Sequence, residues 1–544
     1  MSIARTLIQV HYHARMGGVS VVMSRYARAF EELRGRGPGA NIVVCSPDQV
    51  RQRLPWPSVT RVDLPDCAYR AFRSGASFER VRARLRRRLE EVCRDPGLAG
   101  PICVVGHNLT LGKNLALTAA FADVARECAE VNFVSVVHDL AEEGRIDMLR
   151  RLRSVSRWES GIRQLMYPTL PNYRYVVLNR RLHRLFRGAG LDAGLLFNPV
   201  ASGVSPEGGW ISRDRLWEAL TVTARRDGVL LDRAKPVVFY PVRILGRKNV
   251  AEAVLVACLL GGANLLVGGP GSSARDRRFM ERLRTLCVRR GLPALFDVER
   301  ARRRLGRDVG GGRVFPHLYH FADVCISTAV TEGFGYALYE PWAYGKAVCG
   351  RVPVGFSFQG GIEGGGLYRV LPVPMEWIDA ARLARTYYRY MGECFPGQWD
   401  GATFEGFRED FERTVIKKGL IDFAMLDQDG QLTVLDRLAA AGNVAEPRVL
   451  RRAWGGTVPA GPEETFDDRG RIDRNRRRVL RHLSEPAFRR AFQRQVLRGR
   501  PSRHGHQVDT GVFMKYFHTV RRFRLLRASG TTVSPGRKGR EIPA

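Results

Sequence analysis

The stretch TEGFGYALYE, residues 331–340, decides the fold of this chain because it joins two apolar segments through a glycine turn. Val324–Ser327 predicts a buried strand before it, and the apolar run after it predicts a helix. At such a junction, backbone N–H groups can face a phosphate. Glu332 and Glu340 flank the turn and can hold hydroxyl groups. The pattern favours a nucleotide-sugar site, although two glutamates at this spacing are by themselves commonly solvated helix charges.

A second strand-to-helix turn lies about ninety residues earlier. Val237–Tyr240 predicts a buried strand that runs on to Arg243, and Val250–Leu260 predicts the helix that follows. Arg243 and Lys248 flank this turn, where two cations and a helix N-terminus can hold a diphosphate together. The two turns in this order, with strands between them, form a much stronger signal than either turn alone.

Together the two motifs resemble the family 4 retaining glycosyltransferases, which share the GT-B fold. Arg243 and Lys248, followed by Asn249, are similar to the diphosphate clamp of that family, and the two glutamates are similar to its paired-glutamate motif. The resemblance covers about residues 1–440. It implies an α/β fold with two Rossmann-like, doubly wound domains that face a cleft.

The resemblance also implies a role for each motif residue. Glu332 would lie beside the donor sugar, and Glu340 would bind the ribose, since a carboxylate can accept from both vicinal hydroxyls. The backbone amides of Gly333, Phe334 and Gly335 would face the sugar or the phosphate. Because proline disfavours a helical residue before it, Pro341 predicts a late start or a kink in the following helix.

The first half of the chain begins with its own strand, glycine turn and helix. Arg5–Tyr12 predicts a buried strand, Gly17 and Gly18 the turn, and the apolar residues through Leu33 a helix. A side chain at either glycine would block close approach, so their N–H groups would contact the donor phosphate from this domain. Strands predicted at 41–45, 102–105, 133–137 and 175–178 alternate with helical segments, which indicates a parallel sheet.

Two strand ends in this half carry polar residues that would face the cleft. His138 follows the strand predicted at 133–137, where family members often carry a histidine close to the transferred sugar. The resemblance implies a hydrogen bond from His138 to a sugar hydroxyl or to the acceptor; a histidine that only caps the strand is the alternative. His107 and Asn108 end the preceding strand and are predicted to line the acceptor side.

The chain divides into five predicted segments. Residues 1–200 form the first domain, 201–234 a linker, 235–375 the nucleotide-sugar domain, 376–444 a helical part that returns toward the first domain, and 445–544 a basic, mainly helical C-terminal extension. The extension holds 24 Lys and Arg against 9 Asp and Glu and lies outside the resemblance. Its end, Ser529–Ala544, has the composition of a disordered segment.

Composition limits the remaining choices. The start of the chain lacks a secretory pattern, and the most apolar window, residues 250–267, is interrupted by Glu252 and Asn264. Ten cysteines without a Cys-x-x-Cys pair predict free thiols in a reduced, cytoplasmic compartment. A net charge of +34 would attract anionic surfaces, such as the inner face of a membrane. No spacing typical of a zinc site or a P-loop is present.

The resemblance implies a retaining glycosyltransferase that needs neither metal nor cofactor. We expect a hexosyltransferase that acts in polysaccharide biosynthesis or on a lipid-linked or small acceptor. Because no nucleophile stands out, same-face substitution is favoured over a glutamate nucleophile. A sugar phosphorylase or synthase with the same fold is one alternative. A nucleic-acid-binding protein driven by charge is the other and less favoured one, since the aromatic residues among its arginines also suit helix cores.

Overall fold

The computed structural model describes residues 3–15, 17–35, 37–47, 59–157, 159, 161–200, 203, 209–271, 273–305, 314–394, 403–440, 468–505 and 507–528. Within these ranges the chain forms two parallel β-sheets flanked by helices, and a helical C-terminal region that contacts both.

The first sheet contains seven parallel strands among the described residues: β1 (Thr6–His13), β2 (Asn41–Ser46), β3 (Thr60–Asp63), β4 (Ile102–His107), β5 (Asn132–Val137), β6 (Tyr173–Val177) and β7 (Ala193–Leu195). Their order, β3-β2-β1-β4-β5-β6-β7, reverses direction between β1 and β4. Alternate residues of β1 are buried on opposite faces, with Leu7 in one core cluster and Ile8 in the other. Ligands of such folds bind at the carboxyl ends of the strands where the order reverses.

The second sheet has six described strands, all parallel: β8 (Val237–Arg243), β9 (Asn264–Gly269), β10 (Ala294–Phe296), β11 (Val324–Ser327), β12 (Val348–Arg351) and β13 (Leu367–Tyr368). Their order, β10-β9-β8-β11-β12-β13, reverses between β8 and β11. The two motifs of the sequence analysis follow these two strands. A short antiparallel pair, β14 (Pro372–Pro374) and β15 (Leu420–Asp422), lies after the second sheet.

Helices connect the strands in both domains. They are α1 (Gly18–Arg34), α2 (Gly75–Cys93), α3 (Leu115–Glu127), α4 (Ile146–Val155), α5 (Ile162–Met166), α6 (Arg180–Gly188), α7 (Arg213–Arg226), α8 (Val250–Leu259), α9 (Ala274–Arg289), α10 (Arg302–Leu305), α11 (Phe315–Phe321) and α12 (Tyr336–Ala343). Residues 201–234, predicted to be a linker and an adjoining helix, contain α7, whose Leu216 and Leu220 belong to the same hydrophobic cluster as Phe239 of the second domain. The reason is that α7 has an apolar face of its own to bury.

The basic helix α2 shows how the surface arginines are used. It buries Phe78, Val81, Leu85 and Leu89 against the first domain. On its outer face Arg84 makes a two-bond pair with Asp66 (2.8 and 3.0 Å), and Arg86 pairs with Glu127 (2.7 Å). These arginines therefore form surface ion pairs, which individually stabilise a fold little. None of the helices within the described ranges is both long and apolar enough to span a bilayer.

The chain after the second sheet crosses to the first domain and returns. Helix α13 (Ala380–Cys394) lies against α4, where Arg150 forms an ion pair with Glu393. Helix α14 (Phe404–Val415) packs on α13, and α15 (Gln428–Ala440) packs on α8 and α9 of the second domain.

The C-terminal extension is built into both domains over its described part. Helix α16 (Arg469–His482) packs on α12, and α17 (Glu485–Phe492) packs on α1. Phe488 and Phe492 lie 5.6 and 4.8 Å from the ring of Tyr26 on α1, measured between centroids. The last helices are α18 (Gly511–Phe517) and α19 (Leu525–Ala528). The segment predicted to be disordered, Ser529–Ala544, lies outside the described residues.

Candidate active site

The turns after β8 and β11 meet where the strand order of the second sheet reverses. Tyr240 on β8 joins them: its hydroxyl donates to the carbonyl of Lys248 (2.7 Å) and accepts from the N–H of Thr328 (3.2 Å). The N–H of Val330 donates to the carbonyl of Arg247 (2.9 Å). Two motifs that are far apart in the sequence therefore form one hydrogen-bonded unit.

Glu332 forms ion pairs with two cations of the first turn. Its carboxylate pairs with the ammonium of Lys248, and its second oxygen lies 3.3 Å from the guanidinium of Arg247. The side chains of Glu332 and Lys248 are only 7% and 13% exposed. Burial would raise the pKa of Glu332, but Lys248 and Arg247 outweigh it and lower the pKa below its usual value. Glu332 is therefore ionised near neutral pH.

Arg243 ends β8 next to this pair and is exposed to solvent. Its guanidinium makes no hydrogen bond or ion pair with any described residue, and Asp276 is the acid within electrostatic reach. Partial desolvation and the neighbouring Arg247 lower its pKa. The turn thus presents three cations, Arg243, Arg247 and Lys248, of which only two are paired with Glu332. An anion such as a diphosphate would neutralise the excess.

Asn249, the residue after the predicted clamp, holds the turn in shape. Its φ of +52° is in the left-handed region, which asparagine tolerates better than most residues. The residue is 1% exposed, so it cannot reach a ligand directly. Its side-chain amide donates to Glu252 (2.6 Å) and accepts from Gln431 (2.7 Å), and Glu252 is anchored by Arg351 (2.7 Å).

The loop 332–335 leaves its backbone donors open. The N–H groups of these four residues make no hydrogen bond with any described residue, and α12 begins directly after them. Gly335 has φ +92°, which favours glycine. A Cβ on Gly333 would lie 3.1 Å from the carbonyl oxygen of His138, so glycine lets the first domain approach the loop closely. Asn179 of the first domain donates to the carbonyl of Gly333 (2.6 Å).

Glu340 lies on α12, one turn beyond this loop. The hydroxyl of Tyr319 donates to its carboxylate (2.8 Å), and the ring of Tyr319 stacks on that of Tyr344. Helix α12 begins at Tyr336 and continues through Pro341, so the late helix start is not observed. Phe334, whose amide was predicted to face the donor, buries its ring in the core, at 5% exposure.

His138 lies at the carboxyl end of β5 and faces this loop through its carbonyl. The side chain is 9% exposed, and its Nε2 has no hydrogen-bond partner among the described residues. Burial lowers its pKa to about 4, while Asp139 acts in the opposite direction. The imidazole is therefore neutral near pH 7. A buried polar atom usually has a partner, so Nε2 is suited to a hydroxyl of a bound substrate.

The structure places His107 and Asn108 behind His138 rather than on an open wall of a cleft. His107 is fully buried, and its Nε2 bonds to the amide oxygen of Gln9 (3.0 Å). Burial lowers its pKa well below the usual value. Asn108, with φ +59°, accepts a hydrogen bond from the N–H of Asp139 (3.0 Å) through its side chain. Both residues therefore support the loop that carries His138.

Gly17 and Gly18 lie where β1 leads into α1. Gly17 has an extended backbone (φ 179°), which any residue adopts. A Cβ there would meet no protein atom closer than 3.9 Å, and a Cβ on Gly18 would meet none within 4 Å. The fold itself therefore does not require glycine, and the space is open to a ligand. The N–H of Gly17 already donates to the hydroxyl of Ser20 (2.8 Å), so it is not a free donor.

Several residues near the site were missed by the sequence analysis. Arg247 was passed over, although it directly precedes the predicted clamp lysine. Asn179 follows β6 and caps α6, and its position at a strand end was an available signal. Arg25 on α1 donates to the hydroxyl of Tyr336 (2.7 Å) across the two domains. Arg527, near the end of the chain, contacts Thr331, and no local pattern pointed to it.

Comparisons with known proteins agree with this architecture. No family model matches the chain. Mannosylglucosyl-3-phosphoglycerate synthase of Petrotoga mobilis is 24% identical over 337 residues, and the match spans 60% of this chain and 60% of that protein. Sucrose-phosphate synthase from Thermosynechococcus elongatus superposes with a TM-score of 0.51 at 12% identity, covering 90% of this chain and 98% of that one.

A UDP-forming α,α-trehalose-phosphate synthase from Burkholderia vietnamiensis gives a TM-score of 0.45 at 14% identity, with 90% and 97% of the two chains covered. The superposition on sucrose-phosphate synthase and the two parallel sheets confirm the predicted GT-B fold.

Proposed function

We propose that this protein is a glycosyltransferase that moves a hexose from a nucleotide-sugar to a hydroxyl acceptor, with retention of configuration and without a metal ion. The observation that carries the proposal is the meeting of Arg243, Arg247 and Lys248 with Glu332 at the reversal point of the second sheet. Fixed cations next to a departing diphosphate stabilise the charge that develops as the bond breaks. A similar relative whose name describes a sugar-containing product supports the same class of reaction.

In this proposal the donor lies along the second sheet. Arg243 and Lys248 hold the diphosphate, and the open N–H groups of residues 332–335 bind its oxygens or the sugar hydroxyls. Lys248 would share its ammonium between Glu332 and the phosphate. Glu340, fixed on one side by Tyr319, accepts from the ribose hydroxyls.

The transfer follows from this placement. The bond between the anomeric carbon and the phosphate oxygen breaks, and the acceptor oxygen bonds to the anomeric carbon from the same face. The departing phosphate oxygen takes the proton of the acceptor hydroxyl, so a nucleoside diphosphate and a glycoside are formed. Neutral His138 would hold a sugar hydroxyl, and ionised Glu332 keeps Lys248 and Arg247 oriented.

The acceptor would carry a phosphate or a carboxylate. The ammonium of Lys113, which follows β4 in the first domain, makes no hydrogen bond or ion pair with a described residue, and it lies 4.9 Å from the ring centroid of Tyr69. Burial, and then Arg145 and Arg151, lower its pKa. An anionic acceptor would relieve this repulsion, and the name of the relative contains a phosphoglycerate.

A transfer assay tests the reaction. The full chain is incubated with UDP-, GDP- and ADP-hexoses together with 3-phosphoglycerate, sugar phosphates or neutral sugars, and release of nucleoside diphosphate is measured with and without EDTA. We expect release that depends on an acceptor and continues in EDTA, with an anomeric configuration in the product that matches the donor by NMR. Inversion or a requirement for a divalent cation would contradict the mechanism.

The choice of acceptor is tested separately. Lys113→Met is expected to raise the KM for a phosphorylated acceptor roughly tenfold or more, because it removes one charge-assisted contact. The KM for the donor serves as the internal control and should not change. If the enzyme prefers neutral sugars and Lys113→Met has no effect, the anionic acceptor is wrong, while the transferase assignment stands.

A further inference from the structure

The last described helices connect the first domain to the donor turn. Helix α18 packs Phe513 against Phe186 of the first domain, with ring centroids 5.0 Å apart. Helix α19 then lies against the turn Gly246–Lys248, and Leu526 packs next to Val330. A short stretch at the end of the chain therefore contacts both halves of the candidate site.

Arg527 on α19 lies between the two loops that carry the proposed reacting groups. One end of its guanidinium donates to the hydroxyl of Thr331 (2.5 Å) in the second domain. The other end lies 3.4 Å from the carboxylate of Asp139 and forms an ion pair with Glu143, both in the first domain. The side chain is 6% exposed. Thr331 directly precedes Glu332, and Asp139 directly follows His138.

The charges around Arg527 make this contact specific. Glu143 also pairs with Arg181 (2.5 Å), and Asp139 also pairs with Arg145 (3.1 Å). Burial would raise the pKa of Asp139, but Arg145, Arg527 and Arg247 lower it. Removing one partner from a buried ionic network is costly because the remaining charges stay desolvated. If the loop that contains Asp139 moved away from the loop that contains Thr331, this network would break.

We propose that Arg527 is a positioning residue that fixes the loop carrying Glu332 against the loop carrying His138. This inference rests on the proposed function, because it assigns Arg527 to the geometry of that site. Asn179 also links the domains through the carbonyl of Gly333 (2.6 Å), but Arg527 is supplied by the C-terminal region and bonds to both loops at once. The C-terminal region thereby completes the site.

The experiment compares three variants in the full chain. Arg527→Gln removes the charge, Arg527→Lys keeps it without the two-ended contact, and Thr331→Val removes only the bond to the second domain. Thr331→Val leaves the pairs with Asp139 and Glu143 intact, so it should fold even if Arg527→Gln does not. Arg521→Gln, an exposed arginine in the same segment, is the matched control for loss of charge.

Two readouts are measured: kcat and KM for donor and acceptor, and amide hydrogen exchange by mass spectrometry. We expect Arg527→Gln to lower kcat by about 10- to 100-fold, since misplacing reacting groups by about 1 Å can cost that much. The KM for the donor should change little, because the cations of the donor turn remain. Arg527→Lys should recover part of kcat, and Thr331→Val should show a smaller loss. Exchange should rise at the hydrogen-bonded amides of these two loops, which are those of Asp139 and Glu143 in the first domain and of Val330 in the second.

The proposal is overturned if folded Arg527→Gln and Thr331→Val keep kcat within twofold and keep both loops protected. It is also overturned if exchange rises across the whole chain and Arg527→Lys gives no recovery, since that describes a general loss of stability. The exchange measurement does not depend on catalysis. If the wild-type chain shows no transfer, the proposed function fails, while protection of the two loops still decides whether Arg527 fixes them.

Discussion

Replacing Arg243 by methionine isolates binding of the diphosphate from stability of the fold. The guanidinium makes no hydrogen bond or ion pair with a described residue, so its loss should change the free energy of unfolding by no more than about 0.5 kcal/mol. A hydrogen bond to a charged group contributes about 1.5–3 kcal/mol. Since about 1.4 kcal/mol is a factor of ten, Arg243→Met should weaken binding of a nucleoside diphosphate by about 10- to 100-fold.

Isothermal titration calorimetry of the wild type with UDP, GDP and ADP identifies the nucleotide that it prefers. The affinity of Arg243→Met is then measured with that nucleotide. Arg243→Lys should recover part of the affinity, because lysine supplies a charge but not the planar pair of donors. Arg278→Met, at an exposed position on α9, is the matched control for the loss of one positive charge and should bind like wild type. Urea unfolding of all variants establishes that the fold is retained.

The reasoning is refuted if Arg243→Met is folded and binds the diphosphate within twofold of wild type. It is also refuted if Arg278→Met loses as much affinity, because the net charge of the chain would then explain the effect. A large loss of stability in Arg243→Met would show that the guanidinium supports the fold.

Three further predictions concern neighbouring residues. Lys248→Met should lower kcat by roughly 10²–10³-fold, and adding Glu332→Gln should not restore it; recovery in the double variant would mean that Lys248 only neutralises Glu332. Wild type should bind the ribonucleoside diphosphate more tightly than its 2′-deoxy form, and Glu340→Ala should lose this preference in the same calorimetry; an unchanged preference would remove the ribose role. His138 has a pKa of about 4 when folded but near 6.5 when unfolded, so the unfolded chain binds the proton more readily. The contribution of this pKa difference to the free energy of unfolding, about 3 kcal/mol, should be complete above pH 6.5 and be lost as the pH falls toward 4. Urea unfolding across this range should show a weaker pH dependence in His138→Asn, and equal slopes would contradict the assignment.

Strands that are buried on both faces were predictable from the sequence. Val324–Ser327 was predicted and observed with the same bounds, because four apolar or small residues between turn signals suit the centre of a parallel sheet. Thr60–Asp63 was missed because it is an edge strand, mostly exposed, without an apolar run. Helix α12 runs through Pro341 although local preference opposes it, since Trp342 and its neighbours are buried by the surrounding core.

The motifs of the site were predictable from the sequence, but the contacts between their side chains were not. The positions of Arg243, Lys248 and Glu332 followed from two turns of a recognisable type. Which cation pairs with Glu332 did not follow, because a side chain at a turn can point in several directions and only packing selects one. The burial of His107 could not be predicted either, because the local sequence at the end of a strand does not show whether other elements cover that end.

The sequence by itself determined that two glycine turns, one cationic and one acidic, follow buried strands of a parallel sheet, because hydrophobic patterning and turn chemistry are local properties. Only the tertiary structure decided that the C-terminal segment containing Arg527 packs against the candidate site. Arg527 reaches Thr331 across 196 positions and Glu143 across 384. Such contacts depend on how separately formed units pack against one another. In an arginine-rich segment, the sequence does not show which arginine becomes buried.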